Sequence, residues 1–170
     1  LKGFELKKNI AIISLVSDYK KQISKALADE LEMIFADVND LMEFNLINDD
    51  MLESAGQEYY DKNEKKTLQT ITTYDNTVLT LNFSTLNKNN NSELLKESSL
   101  VIYLRLNYDL FKQINKVEAT KSLTTINEIA FEDRDKLMKK YADIIVDINN
   151  LDKKESVETI ISSINNFYKV

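Results

Sequence analysis

The sequence predicts a three-layer α/β domain in which a five-stranded parallel sheet is flanked by helices. Three observations lead there. Short, nearly all-apolar runs rich in β-branched residues alternate with amphipathic stretches, the pattern of strands buried on both faces and joined by crossover helices. The 170 residues are 43% apolar and include 7 Phe and 8 Tyr, enough to bury a core within one compact domain spanning 1–170. Proline is absent and glycine is confined to Gly3 and Gly56, so turns must rest on Asn, which tolerates left-handed backbone.

The elements follow in order. Asn9 to Val16 is a continuous apolar run, short enough for a central strand. Ser17 or Asp18 then offers a helix N-cap, and Ile23, Ala26, Leu27 and Leu31 recur at helical spacing. Met33 to Val38 is the second strand, followed by a helical pattern over Asp40 to Ile47 and a polar helical stretch from Asp50 to Thr70. Thr77 to Phe83 and Leu100 to Leu106 are the third and fourth strands, with the polar run Asn87 to Asn91 between them read as a surface loop. Tyr108 to Val117 and Ile126 to Tyr141 read as helices. Asp143 to Ile148 is the last strand, and Lys153 to Tyr168 a closing helix with Val157, Ile160, Ile161, Ile164 and Phe167 on one stripe. Ligands of such sheets sit beyond the carboxyl ends of the strands.

Composition removes several classes of function. Without His or Cys there is no disulfide, no thiolate metal site and no His-based catalytic triad. The net charge of -6 gives no footprint for nucleic acid or an anionic membrane. No apolar stretch has the length of a membrane span, so a soluble, cytoplasmic protein is expected. The chain opens on Leu rather than Met, which fits a trimmed chain or one domain of a longer polypeptide.

Residues 9–43, NIAIISLVSDYKKQISKALADELEMIFADVNDLME, resemble the opening of shikimate kinases: strand, phosphate loop, helix, second strand. Residues 132–164 are similar to the family's close, and LVIYLRLNYDLFKQI resembles its fourth strand and following helix. The resemblance implies a P-loop kinase fold, with ATP and Mg²⁺ as the cofactors of any residual kinase activity. At the phosphate loop's glycine positions stand Ser14, Ser17 and Tyr19, although glycine lets successive backbone N–H groups turn toward phosphate oxygens. Lys20 matches the phosphate-binding lysine, while Lys21 replaces the Mg²⁺-ligating hydroxyl. The plainer reading of this pair, a solvated basic first turn of a helix, is preferred; Ser17, Lys20 and Lys21 remain the candidate nucleotide-binding residues.

Where the family carries two aspartates after its second strand, the chain has Asp37 and Asn39. Asp37 is the candidate metal ligand and catalytic residue; Asn39 is a candidate for a substrate hydroxyl, or with Asp40 a helix N-cap. Gly56 to Glu64 resembles the segment whose arginine grips the substrate carboxylate, with Asp61 at that arginine and Glu64 read as a surface charge. Asn82, Phe83 and Ser84 stand at a triple-glycine turn, Phe83 as a core or cleft-filling ring. Lys121, before Ser122, takes the place of the lid arginine as the second candidate catalytic residue. Arg134 is the one substrate-type arginine retained, or else a salt-bridge partner of Glu132 or Asp135.

These replacements touch contributions to phosphoryl transfer that act jointly. The expectation is therefore a catalytically impaired pseudokinase serving as a binding, regulatory or structural module, with a protein or small-molecule partner, within an aromatic amino acid biosynthesis polypeptide. The alternative is a divergent shikimate kinase, or other small-molecule kinase, moving the ATP γ-phosphate to a hydroxyl. A third reading reuses the scaffold for another ligand or for oligomer contacts.

Overall fold

The computed structural model describes residues 7–88, 90–118 and 128–169. One face of β1 (Asn9–Ile13) presents Ile10 and Ile12, and the other Ala11 and Ile13. That two-residue alternation, with every position buried, puts β1 at the centre of the sheet. It pairs in parallel with β3 (Thr77–Thr80) on one side and β4 (Ser99–Leu106) on the other. Outside these lie β2 (Ile34–Asp37) and β5 (Ile144–Ile148), giving the parallel order β2-β3-β1-β4-β5.

On one face α1 (Ser17–Glu30) and α9 (Lys153–Tyr168) cover the sheet, bringing Ile23, Leu27, Val157 and Ile160 onto Ile10, Ile12, Ile102 and Leu104. The opposite face is covered by α2 (Val38–Phe44), α4 (Gln57–Ile71), α5 (Phe83–Leu86) and α6 (Asn91–Ser98), through Met42, Leu68, Leu86 and Leu95. α3 (Asp49–Ala55) leads into α4, and α7 (Tyr108–Glu118) follows β4. α8 (Glu128–Tyr141) serves both faces, with Phe131 in the first core and Met138 in the second. The three-layer parallel α/β fold expected from the apolar runs is the fold observed.

Strand ends differ from the expected ones for a physical reason. β1 stops at Ile13 and β3 at Thr80, although Val16 and Leu81 beyond them are buried. Burial continued past each strand because the chain there turns into a helix packed on the same core. The surface loop expected at Asn87 to Asn91 holds at Asn87, Lys88 and Asn90, which are turn residues at or near the surface, and is corrected at its last residue: Asn90 adopts the left-handed conformation (φ 60°), and Asn91 is buried, opens α6, and donates through Nδ2 to the Thr85 carbonyl at 2.7 Å. Asn76 (φ 54°) serves likewise before β3, as a chain with few glycines requires. Among the described residues no helix is long and apolar enough to cross a membrane.

Candidate functional site

The carboxyl ends of β1, β2 and β3 gather the starts of α1, α2 and α5, and most of the candidate residues meet there. The link from β1 to α1 is the tightest part. Ser14 turns its hydroxyl inward to donate to the Leu104 carbonyl at 3.0 Å. The first helical residue is Ser17, three positions before Lys20, and the Lys20 N–H already donates to the Val16 carbonyl at 3.1 Å. The non-glycine residues with left-handed backbone, among those described, are Glu32, Leu46, Asn76, Asn90 and Lys169; none falls between Ser14 and Tyr19. The stretch thus passes directly into α1 with no residue in the left-handed backbone region that a glycine-rich phosphate loop uses. Tyr19 packs into the core between α1 and α9, where its hydroxyl meets Ser156 Oγ at 2.8 Å.

Neither Ser17 nor Asp18 caps this helix. The cap position is Val16, without a side-chain bond, and Ser17 Oγ instead donates to Asn82 Oδ1 at 3.2 Å. The solvated reading of Lys20 fails as well. Its side chain is 0% exposed, and Nζ donates to the Leu81 carbonyl at 2.6 Å and to Asn82 Oδ1 at 3.5 Å. Burial pushes its pKa down to about 8 against the opposing pull of the Asp37 carboxylate. The four-carbon stem carries the ammonium to the end of β3, against which α1 packs.

Lys21, one residue on, faces α2. Its Nζ lies 2.5 Å from Asp40 Oδ1 and 3.6 Å from Asp37 Oδ1. Burial opposes its charge, but the hydrogen bond to Asp40 and the two carboxylates outweigh it and raise the pKa. Asp37 is 3% exposed and fully engaged. Oδ1 accepts the Asp40 N–H at 2.9 Å, and Oδ2 accepts the Thr80 hydroxyl. Asp37 is therefore the N-cap of α2, not Asn39 or Asp40 as expected.

Asn39 uses both ends of its amide inside the protein: Oδ1 accepts from the Asn82 N–H at 2.9 Å, and Nδ2 donates to Thr85 Oγ1 at 3.2 Å. Thr85 Oγ1 donates on to Glu64 Oε2 at 2.8 Å. Glu64 is only 2% exposed, which corrects its reading as a surface charge. Lys88 supplies the cation, 3.4 Å from Glu64 and 3.1 Å from Asp61, with its ammonium 5.7 Å from the Tyr60 ring centre. Across the site the Arg134 guanidinium lies 5.0 Å above the half-buried Phe83 ring. Its expected partner Asp135 is bound elsewhere, to the Tyr103 hydroxyl, Arg105 and Lys139. Among the described residues Arg134 has no carboxylate in salt-bridge range. Lys121 and Ser122 lie outside the described residues.

The family model described as shikimate kinase matches residues 19–165. The chain belongs to the shikimate kinase family. A curated shikimate kinase from a Sulfurihydrogenibium species is 26% identical over 163 residues, 92% of this chain and 98% of that protein. Among solved structures, the Acinetobacter baumannii shikimate kinase in complex with shikimate superposes with a TM-score of 0.80 at 21% identity, covering 97% of each chain. The Bacteroides thetaiotaomicron shikimate kinase does so with a TM-score of 0.76 at 15% identity, covering 95% of this chain and 98% of that one. At such identities the superpositions establish the P-loop kinase fold.

Within the shikimate kinase frame the structure brings Ser17, Lys20, Lys21, Asp37 and Asn39 together around the ends of β2 and β3, and sets Arg134 over Phe83. Sequence reasoning missed Thr80, Thr85, Lys88 and Asn91. Thr80 carried a faint signal, a hydroxyl within an apolar strand, which must find a partner when buried. Lys88 lay in a polar run, and nothing local announces a pairing with carboxylates more than twenty residues earlier.

Proposed function

We propose that this shikimate kinase family member is a catalytically impaired pseudokinase that acts as a binding or regulatory module rather than as a phosphotransferase. The observation carrying this reading is the link from β1 to α1: the helix begins at Ser17, the Lys20 N–H is spent on Val16, and the Lys20 ammonium is sequestered against Leu81. A triphosphate would have to displace the bond that holds the Lys20 ammonium on the Leu81 carbonyl before that charge could reach it. Phosphoryl transfer depends on positioning and charge stabilisation, so withdrawal of the lysine and the loop together weighs against it. The replacement of the substrate-gripping arginine by Asp61 supports the same reading for a carboxylate-bearing acceptor. Asp61 and Glu64 already share Lys88, and a further carboxylate there meets anionic neighbours.

A divergent kinase is the second reading, and it draws on Arg134, a half-buried guanidinium with no carboxylate partner among the described residues. Such a group suits an anionic ligand, whether a substrate of altered chemistry or the partner of a pseudokinase. Calorimetry at millimolar ATP·Mg²⁺ should give no saturable heat, and ADP release in the presence of shikimate should match the enzyme-free rate. Saturable binding weakened by Lys20→Ala, together with turnover, would establish the kinase reading instead.

A further inference from the structure

Lys21 stands where the resemblance places a metal-ligating hydroxyl, and its surroundings do not fit a divalent cation. Its ammonium lies between Asp40 Oδ1 and Asp37 Oδ1, the two carboxylates that face the start of α1. Mg²⁺ needs near-octahedral oxygen ligation at about 2.1 Å, and here the space between the oxygens is filled by three N–H donors carrying positive charge. Among the described residues no three carboxylates converge to hold a metal.

We infer that Lys21 is a built-in counter-ion: its ammonium takes the position of a divalent cation and makes this end of the sheet independent of metal. The buried Asp37 explains why some cation is required. One oxygen caps α2 and the other holds Thr80, but hydrogen bonds alone leave a full negative charge at a side chain with no exposed surface. Burial of an unpaired charge is costly. Lys21 supplies the pairing from α1 and continues to Asp40 at the rim, so one side chain joins the first helix to the second. Lys20 cannot do this, because its Nζ is committed to Leu81 and Asn82. The inference concerns the carboxylate pair alone and holds whether or not nucleotide binds.

The test uses Mn²⁺ as the probe, read by the loss of the free-ion electron paramagnetic resonance signal, with thermal unfolding alongside. Wild-type protein should retain no Mn²⁺ at millimolar concentration. Lys21→Ser, which replaces the ammonium by a hydroxyl beside Asp37 and Asp40, should take up a single Mn²⁺ and melt at higher temperature in its presence. Adding Asp40→Asn to that variant should abolish the uptake. Lys21→Gln, closer in length to lysine, is the second variant; it too should bind Mn²⁺, more weakly. Two results would overturn the inference: Mn²⁺ retained by the wild type and lost with Asp40→Asn, or lysine variants that take up no more Mn²⁺ than the wild type. Variants that fail to fold even in Mn²⁺ would count against it equally, since the divalent ion would then be unable to take the ammonium's place.

Discussion

Replacing Asp37 by alanine is expected to destabilise the protein by about 4 kcal/mol, a loss assembled from three contacts that one buried carboxylate makes. The N-cap of α2 disappears, since Asp37 Oδ1 accepts the Asp40 N–H at 2.9 Å; such caps contribute about 1 kcal/mol. The Thr80 hydroxyl, 0% exposed, loses its acceptor, and a stranded buried donor costs roughly 1–3 kcal/mol. Lys21 loses one of two carboxylates, a smaller effect because its side chain is 32% exposed and keeps Asp40. Asp37→Asn should cost about half as much, because its amide oxygen still caps the helix. Urea unfolding followed by circular dichroism measures both. A loss under about 1 kcal/mol for Asp37→Ala would mean that the carboxylate contributes only its cap.

The position of Asp37 illustrates how far the sequence carries the site. That an acidic residue ends the second strand was readable from IFAD followed by a helical pattern, and the comparison with shikimate kinases gave it a chemical context. Whether its oxygens are free was not readable, because that depends on Thr80, 43 residues away in sequence on the neighbouring strand, and on the stem of Lys21 reaching across from α1. The sheet itself was legible for the opposite reason. Strands buried on both faces read as nearly continuous apolar runs, so β1 and β4 declare themselves locally, and their parallel direction follows from the helices that separate them. Their ends were less legible, since hydrophobicity reports burial and not hydrogen-bond pairing: Leu81 and Val16 are buried outside any strand. The helix α6 was hidden by its Asn-rich entry, where Asn90 turns left-handed and Asn91 goes inward to the Thr85 carbonyl.

Lysine burial was the least legible feature and gives the other large expected effect. Lys20 looks like its neighbours Lys21 and Lys25 in the sequence, yet it alone of the three is enclosed, with Nζ on the Leu81 carbonyl at 2.6 Å. Its pKa in the folded protein is about 8, lowered first by burial, whereas the unfolded chain holds it near the ordinary 10.5. The sign follows from proton binding. Between those two values the unfolded chain carries more protons at this site than the folded one, so stability rises with pH across the window. Below pH 8 both states are protonated and the full penalty of burying the ammonium is present; above it the penalty is progressively relieved. Tyr19 and Tyr103, whose pKa values are raised mainly by burial, act in the other direction above about pH 10. The clean quantity is therefore the stability difference between wild type and Lys20→Met, in which the tyrosines and exposed lysines cancel. Lys20→Met should be the more stable relative to wild type at pH 7, and wild type should gain on it by roughly 2–3 kcal/mol between pH 8 and 10. A difference that stays flat across that range would place the ammonium in contact with water, and with it would return the lysine to the reach of a phosphate. The pH profile thus tests the sequestration on which the pseudokinase reading depends, without any ligand being added.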